Sequence, residues 1–516
     1  MSAQRTITGT VTDEAGVSLI GANVIVKEAP TMGTITDIDG SFSLQIPSGG
    51  ATLVISYAGY STKEIPLTAD ASYTVTLAEG QLLEEVVVTS FGTTTRERFT
   101  GSAASISAEK IGVRPVTNVG QVLTGIAAGV QSTFGSGQPG SAPAIRIRGF
   151  GSISSSQDPL YVIDGVPTSV NIANLNADDI ENVTVLKDAS STALYGSRAA
   201  NGVVLITTKK GKKGKNSINV KYTRGQSGRA VPEYDRIGAA DYYPIMWESY
   251  RNSLAYRAAN PIPIATANTN ASRDIVGLLA YNVYNVPGAE LVSTEGKLNP
   301  NAQLLYNAED LDWEKPLIRN GGRDEVTLNM SGGTEDSDYY FSLGRLKDKG
   351  FLIRTGYERY TGRLTFNSKL KSWVKVGANL GYTYSLSEDN DAGGNTSFVN
   401  PFFFSRGMGP IYPVYAFDPA KPGTFLLDSN GNKRWDYGNL NALGLPNRPQ
   451  YGGRHAIAET LMNTNDFRRN VFTGRTYADF SFLKDFKLTL NAGLDYTNRY
   501  DNTFQNPEIG DGAPAG

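Results

Sequence analysis

Side chains able to carry covalent chemistry are scarce in these 516 residues: there is no cysteine and one histidine, His455. Disulfides, thiolate metal sites and cysteine nucleophiles are excluded, and a histidine triad or multi-histidine metal site lacks its partners. His455 follows NRPQYGGR at 447–454, a loop-like run that predicts a surface histidine. The carboxylates are scattered without a paired setting for acid–base work, so the chain reads as a non-enzyme with no cofactor and no metal. What the sequence offers instead is backbone chemistry. Glu84, Glu85, Val86, Val87, Val88 and Thr89 form an extended, β-prone run within LEEVVVT at 83–89, continuing into FGTTTRERFTGS. Such a strand on a tether can add to the edge of another protein's sheet through main-chain hydrogen bonds. By pattern alone it equally suits a last strand of the domain before it.

Two other motifs carry less. RGFGS at 148–152 contains GxG but lacks the third glycine and the strand–helix setting of a dinucleotide loop. Lys209, Lys210, Lys212, Lys213 and Lys215 form a basic run that reads as a solvated linker. With a net charge of −2 there is no field for a polyanion, and nucleic acid is not an expected partner.

The positioning elements are mostly strands. No apolar run approaches the roughly 18 to 20 residues of a membrane-spanning helix. A membrane barrel remains open, because its strands are apolar only at alternate positions, and a mean hydropathy of −0.27 does not exclude it. The opening MSAQ reads equally as the remnant of a cleaved leader or as an introduced start. Strands are expected at 6–12, 22–26, 41–46, 52–57 and 73–77, with turn chemistry in DIDG (37–40) and PSGG (47–50), which together make a small sandwich. Val119, Val122, Leu123, Ile126, Ala127 and Val130 share one face of a predicted helix capped by Asn118. In AIRIRGF, Ile145 and Ile147 alternate with Arg146 and Arg148, marking a strand with one buried and one cationic face.

From 374 to 386 apolar residues alternate without a break against Lys, Gly, Asn, Thr and Ser, and 486–496 repeats the pattern. Shorter copies lie near 326–330, 339–343, 360–366 and 476–482. With a strand near 218–223, connections run long (225–324), short (334–337), moderate (347–357), short (369–372), long (387–473) and short (483–485). Short turns on one side and long loops on the other are the pattern of an outer-membrane barrel. Tyr339, Tyr357, Tyr360, Trp373, Tyr384, Tyr496 and Tyr500 near strand ends suit interfacial girdles.

The most specific signal is an order of segments. LYVIDGVP at 160–167 and VLKDASSTALYGSRAANGVVLITTKKGK at 185–212, after LEEVVVT and before the alternating strands, resemble the plug of SusC/RagA-type TonB-dependent outer-membrane transporters. The resemblance implies a mainly β chain: a periplasmic carboxypeptidase-regulatory-like β-sandwich at 5–80, without zinc ligands, a TonB box at 83–90, an α+β plug at 91–215, and at 216–516 the first strands of a twenty-two-stranded transmembrane barrel. About seven strands can be counted, so the chain is expected to be the opening portion of a longer protein.

As a plug filling a barrel, this region would set Arg146, Arg148 and Arg198 against carboxylates of the inner wall; a solvated charged face is the other reading. Phe402, Phe403, Phe404, Tyr412 and Tyr415, in NPFFFSRGMGPIYPVYAF at 400–417, either grip a ligand or pack against a partner. Implied partners are TonB, which would pull on 84–89 with energy from the inner-membrane proton gradient, a SusD-like surface lipoprotein, membrane lipid, and an oligosaccharide or peptide cargo, with glycan the first choice. A dimer of transporter–lipoprotein pairs is part of the same expectation. A lidless receptor for a siderophore or other ligand, and a passive surface barrel, are the alternatives.

Overall fold

The structure, a computed structural model, describes residues 4–515 apart from stretches of which the longest are 79–85, 96–102, 113–118 and 390–399. Two compact units, Met1–Gly101 and Ser102–Gly516, divide it.

Alternating β-branched residues in the first unit build β1 (Gln4–Asp13), β2 (Asn23–Val26), β3 (Ala29–Ile35), β4 (Ser41–Pro47), β5 (Thr52–Ser56), β6 (Lys63–Pro66) and β7 (Ser72–Leu77). They form two sheets ordered β4-β1-β7 and β3-β2-β5-β6. Ile7, Val11, Val24, Val26, Leu44, Ile55, Val75 and Leu77 fill the space between them. β3 and β6 lie outside the expected set because Pro30 and Gly33 blur the alternation of one and the other is four residues long. In DIDG, Asp37 Oδ1 accepts from the Asp39 and Ser41 amides at 3.0 and 2.8 Å, while Gly40 supplies the left-handed φ of 73° that closes the turn. Beyond the sandwich, β8 (Val86–Thr89) pairs antiparallel with β9 (Gly92–Thr95) as a two-stranded hairpin.

The second unit begins with β10 (Ala103–Ser107), β11 (Val130–Thr133), β12 (Ala144–Ile147), β13 (Leu160–Ile163), β14 (Val166–Thr168), β15 (Ile180–Leu186) and β16 (Val203–Thr208). Five of them make a mixed sheet ordered β10-β15-β16-β13-β14, and β11 and β12 form a separate ribbon. The near-continuous apolar run of β16, VVLITT, is buried, as a central strand covered on both faces requires. The helix expected over 119–130 is only Val119–Val122. Gly125 and Gly129 adopt φ of 72° and 74°, which ends the helical path, and Val130 opens β11. Asn118, its expected cap, lies outside the described residues.

Seven antiparallel strands follow in sequence order: β17 (Ser217–Ser227), β18 (Gly321–Gly333), β19 (Ser337–Lys349), β20 (Gly356–Lys371), β21 (Val374–Glu388), β22 (Thr464–Phe482) and β23 (Phe486–Phe504). Turns at 334–336, 372–373 and 483–485 lie at one end, and connections 228–320, 350–355 and 389–463 at the other. Burial is inverted relative to a soluble sheet. Polar Thr327, Ser342, Arg363, Thr365, Asn367 and Asn379 are buried, while Leu343, Leu364, Phe366, Leu380 and Tyr382 are exposed. Pairing sets Leu364 between Phe341 and Leu380, so the apolar side chains run in rows across the sheet. An apolar band on the outside is what a lipid-facing wall needs. Of the expected girdle residues, Tyr339, Tyr360, Trp373, Tyr496 and Tyr500 are on this outer face. Tyr357 is instead buried at 6% exposure, because its ring meets Gly140 of the preceding domain.

The two long connections fold together. Helices Ala239–Ala255 and Ile264–Leu279 from the first, and Pro401–Gly407 and Ala456–Met462 from the second, share one core around Tyr243, Trp247, Trp313, Phe404 and Ile457.

Candidate functional site

The inward polar face of the wall is organised by two carboxylate clusters on the α+β domain it encloses. Asn176 caps the short turn Ala177–Asp179 by accepting from the Asp178 amide at 3.1 Å, which projects two adjacent carboxylates. Asp179 Oδ1 accepts from the Tyr340 hydroxyl at 3.0 Å and the Ser342 hydroxyl at 2.6 Å, and Arg363 Nε lies 3.6 Å from its other oxygen. Asp178 accepts from Lys221 Nζ at 2.7 Å and from the Thr327 hydroxyl at 3.2 Å. The second cluster centres on Asp164, held at a φ of 47°, which accepts from the amide and hydroxyl of Thr208 at 2.9 and 2.8 Å. Asn379 of the wall donates to Asp164 and to Thr208, and its carbonyl accepts from Arg363 at 2.7 Å, so one asparagine and one arginine join both clusters.

Further wall contacts lie on either side. Arg359, 2% exposed, donates to the carbonyls of Ala173 and Leu175, each at 3.1 Å. The Thr168 hydroxyl donates to Asp495 at 2.7 Å. Two wall glycines permit close approach. A Cβ at Gly344 would stand 2.8 Å from Asn176 Nδ2, and one at Gly493 would stand 2.6 Å from Val166 Cγ1. Buried charges persist only when paired, and removing one partner of such a set costs about 3–5 kcal/mol. The enclosed domain and the wall therefore specify each other's polar residues.

The sign of these pairs is opposite to expectation. Arg146 donates to Gln157 Oε1 at 3.0 Å and lies 4.4 Å from the Phe150 ring centroid. Arg148 and Arg198 are exposed. Among the described residues none of the three pairs with a wall carboxylate; in the ion pairs across the seam the carboxylates, Asp178 and Asp179, belong to the enclosed domain and the cations, Lys221 and Arg363, to the wall. Alternation in AIRIR reports a strand with two unlike faces, but that strand sits in the β11–β12 ribbon, away from these pairs. The signal overlooked was NADD at 176–179, a capping residue followed by two carboxylates directly before an apolar strand. Of the candidate TonB box, Glu84 and Glu85 lie outside the described residues, and Val86, Val87, Val88 and Thr89 form the first strand of the β8–β9 hairpin.

The aromatic segment divides between core and pocket. Phe404 and Tyr412 are 0% and 2% exposed in the core of the loop module, where the Tyr412 carbonyl accepts from Trp313 Nε1 at 2.9 Å. Both are core residues, a correction to the expectation that they grip a ligand or pack against a partner. Tyr415 stacks on Trp435 with ring centroids 4.8 Å apart. Phe402 and Phe403 line a pocket of ≈ 560 Å³ with Arg229, Phe351, Arg406 and Tyr451. His455 is fully buried, against its surface expectation. Its Nδ1 accepts from the Ala458 amide at 3.1 Å, capping a helix, so the proton resides on Nε2 and donates to the Val414 carbonyl at 2.8 Å. Burial, with Arg448 nearby, lowers its pKa to about 3. Its aromatic neighbours Trp313 and Trp435 are distant in sequence, which is why GGRH read as loop.

Comparison with known proteins agrees with this architecture. A family model described as TonB-dependent Receptor Plug Domain matches residues 95–203, and one described as CarboxypepD_reg-like domain matches 7–88. A plug tied by polar contacts into a wall whose apolar face points outward defines a TonB-dependent receptor. A TonB-dependent receptor of Formosa agariphila is 33% identical over 98% of this chain and 44% of its own length. The TonB-dependent receptor SusC of Bacteroides thetaiotaomicron is 29% identical over 98% of this chain and 46% of its own. The RagAB peptide importer in its open-open state superposes with a TM-score of 0.59 at 25% identity, over 83% of this chain and 44% of that one. Over nearly its whole length the chain is similar to TonB-dependent receptors of the SusC type, and it spans about half the length of the curated relatives it matches.

Proposed function

We propose that the chain belongs to an energy-coupled importer of a nutrient oligomer. Cargo binds at the end that carries the long connections, beneath a SusD-like lipoprotein, and TonB engages residues 84–89 to loosen the plug. Energy comes from the inner-membrane proton gradient, with no cofactor, and two transporter–lipoprotein pairs associate as a dimer. The observation that carries this reading is the polar seam between plug and wall. Its contacts are hydrogen bonds and ion pairs, which can be exchanged for water, whereas an apolar plug surface would resist hydration.

A glycan is the first reading for cargo, resting on analogy alone. A peptide is the second, favoured by the likeness to the protein solved as the RagAB peptide importer. The test is deletion of residues 84–89 in the intact receptor. Uptake should be lost while surface binding of cargo is retained; uptake that survives the deletion points to a passive route.

A further inference from the structure

The pocket in the loop module has a chemistry of its own. Phe402 and Phe403 come from the helix Pro401–Gly407, Arg229 from the start of the first long connection, and Phe351 from the short connection 350–355, so all three outer connections contribute. The plug reaches the same place, because a Cβ at Gly137 would lie 3.8 Å from the Phe351 ring. Three phenyl rings and Tyr451 make the lining mainly aromatic.

Two arginines flank Phe402, with guanidinium carbons 5.5 Å (Arg229) and 6.0 Å (Arg406) from its ring centroid. They differ in how fully they are used. Arg229 is mostly buried and ion-paired with both Glu233 and Glu314. Arg406 holds Glu233 through Nε at 3.1 Å and one terminal nitrogen at 2.9 Å, and its side chain remains 56% exposed. Its second terminal nitrogen has no hydrogen-bond partner among the described residues. The Arg406 hydrogen bonds, followed by the contribution of Arg229, hold the Glu233 carboxyl below the usual range, so Glu233 stays ionised and fixes both forks. Arg236, donating to the Ser405 and Met408 carbonyls at 2.6 and 3.0 Å, adds a third cation against the two carboxylates.

We infer that this pocket is a cargo subsite for a unit carrying a carboxylate on a compact apolar face, the carboxylate meeting the open side of Arg406 and the apolar face lying on Phe402 and Phe403. The inference deepens the import reading by naming a recognition chemistry at the loop end. A pocket of ≈ 560 Å³ has the size of an ordinary small-ligand site, room for a few sugar rings or residues. Two sources supply that chemistry: the uronate of an acidic glycan, or the terminal carboxylate of a peptide with an apolar last residue.

The experiment is calorimetric titration of the intact receptor, purified in detergent, with four probes. These are trigalacturonate, neutral maltotriose, a tripeptide ending in phenylalanine with a free carboxylate, and the same tripeptide amidated. One charged probe should bind about tenfold or more tightly than its neutral counterpart, and Arg406→Gln should abolish that difference while Arg406→Lys restores part of it. Preference for trigalacturonate assigns the acidic glycan, and preference for the free-acid peptide assigns the peptide terminus. The inference is overturned if neither charged probe is preferred, or if Arg406→Gln keeps the preference with an unchanged melting profile. No TonB is present in the assay, so its failure is separate from failure of the uptake test.

Discussion

The barrel wall and the loop module are built from the same chain with opposite rules of burial. In the wall Leu364 is 46% exposed and its neighbour Arg363 is 7% exposed. In the module Trp313 and Phe404 are sealed inside and the solvent-facing positions of Ile264–Leu279 carry residues such as Thr269 and Arg273. The difference teaches that burial follows the solvent on each side. Lipid takes the apolar face of the wall and a polar plug takes the other, whereas water drives the apolar residues of the loops inward.

The sharpest way to break the comparison is at the seam. Asp179→Ala leaves Arg363 and two hydroxyls facing an empty carboxylate position, a loss of about 3–5 kcal/mol. Limited proteolysis should then cut the plug while the wall stays resistant. Trp313→Ala removes a comparable ~3–5 kcal/mol from the loop core, and here the connections 228–320 and 389–463 should become protease-sensitive while the plug stays docked. Should either variant disturb both regions equally, they are one cooperative unit and the contrast fails.

A smaller effect tests the lipid side. Leu364→Lys should cost about 2–4 kcal/mol in a bilayer-refolding measurement, the range for a cation at mid-depth on the outer face. No cost there would mean that Leu364 does not meet lipid.

The smallest effect concerns pH. His455 is neutral when folded, with its pKa lowered to about 3, and in the unfolded chain it titrates near its ordinary value. Between those values the unfolded state binds the extra proton, so stability falls by about 1.4 kcal/mol for each unit of pH decrease below roughly 6.5, and is flat above it. Glu459 and Asp436, whose carboxyls burial raises, act in the opposite direction on acidification. The readout is therefore the difference between the native protein and His455→Asn, which can still cap the helix. Loop-module melting at pH 7.5 and 5.5 should shift more in the native protein than in the variant, and equal shifts would refute the assignment.

Much of the fold was legible because the membrane imposes a strict period. Alternation over 374–386 identified β21, and the succession of long and short connections put the loops at one end. Motif order announced the plug, although its helix was overread where Gly125 and Gly129 turn the chain. Less of the site was legible. Alternation says that Arg146 and Ile145 face opposite ways but not what either meets, and FFF at 402–404 says aromatic but not that Phe404 is core while Phe402 lines a pocket.

By itself, then, the sequence determined the number of wall strands, the two faces of those strands and the order of sandwich, plug and wall, because these depend on local period and adjacent motifs. Only the tertiary structure decided that Asp164 and Asp179 meet Asn379 and Arg363, that His455 lies between Trp313 and Trp435, and that three connections share one pocket. Those pairings join residues far apart in the chain, and their partners are chosen by which side chains burial leaves in need of a charge or a hydrogen bond.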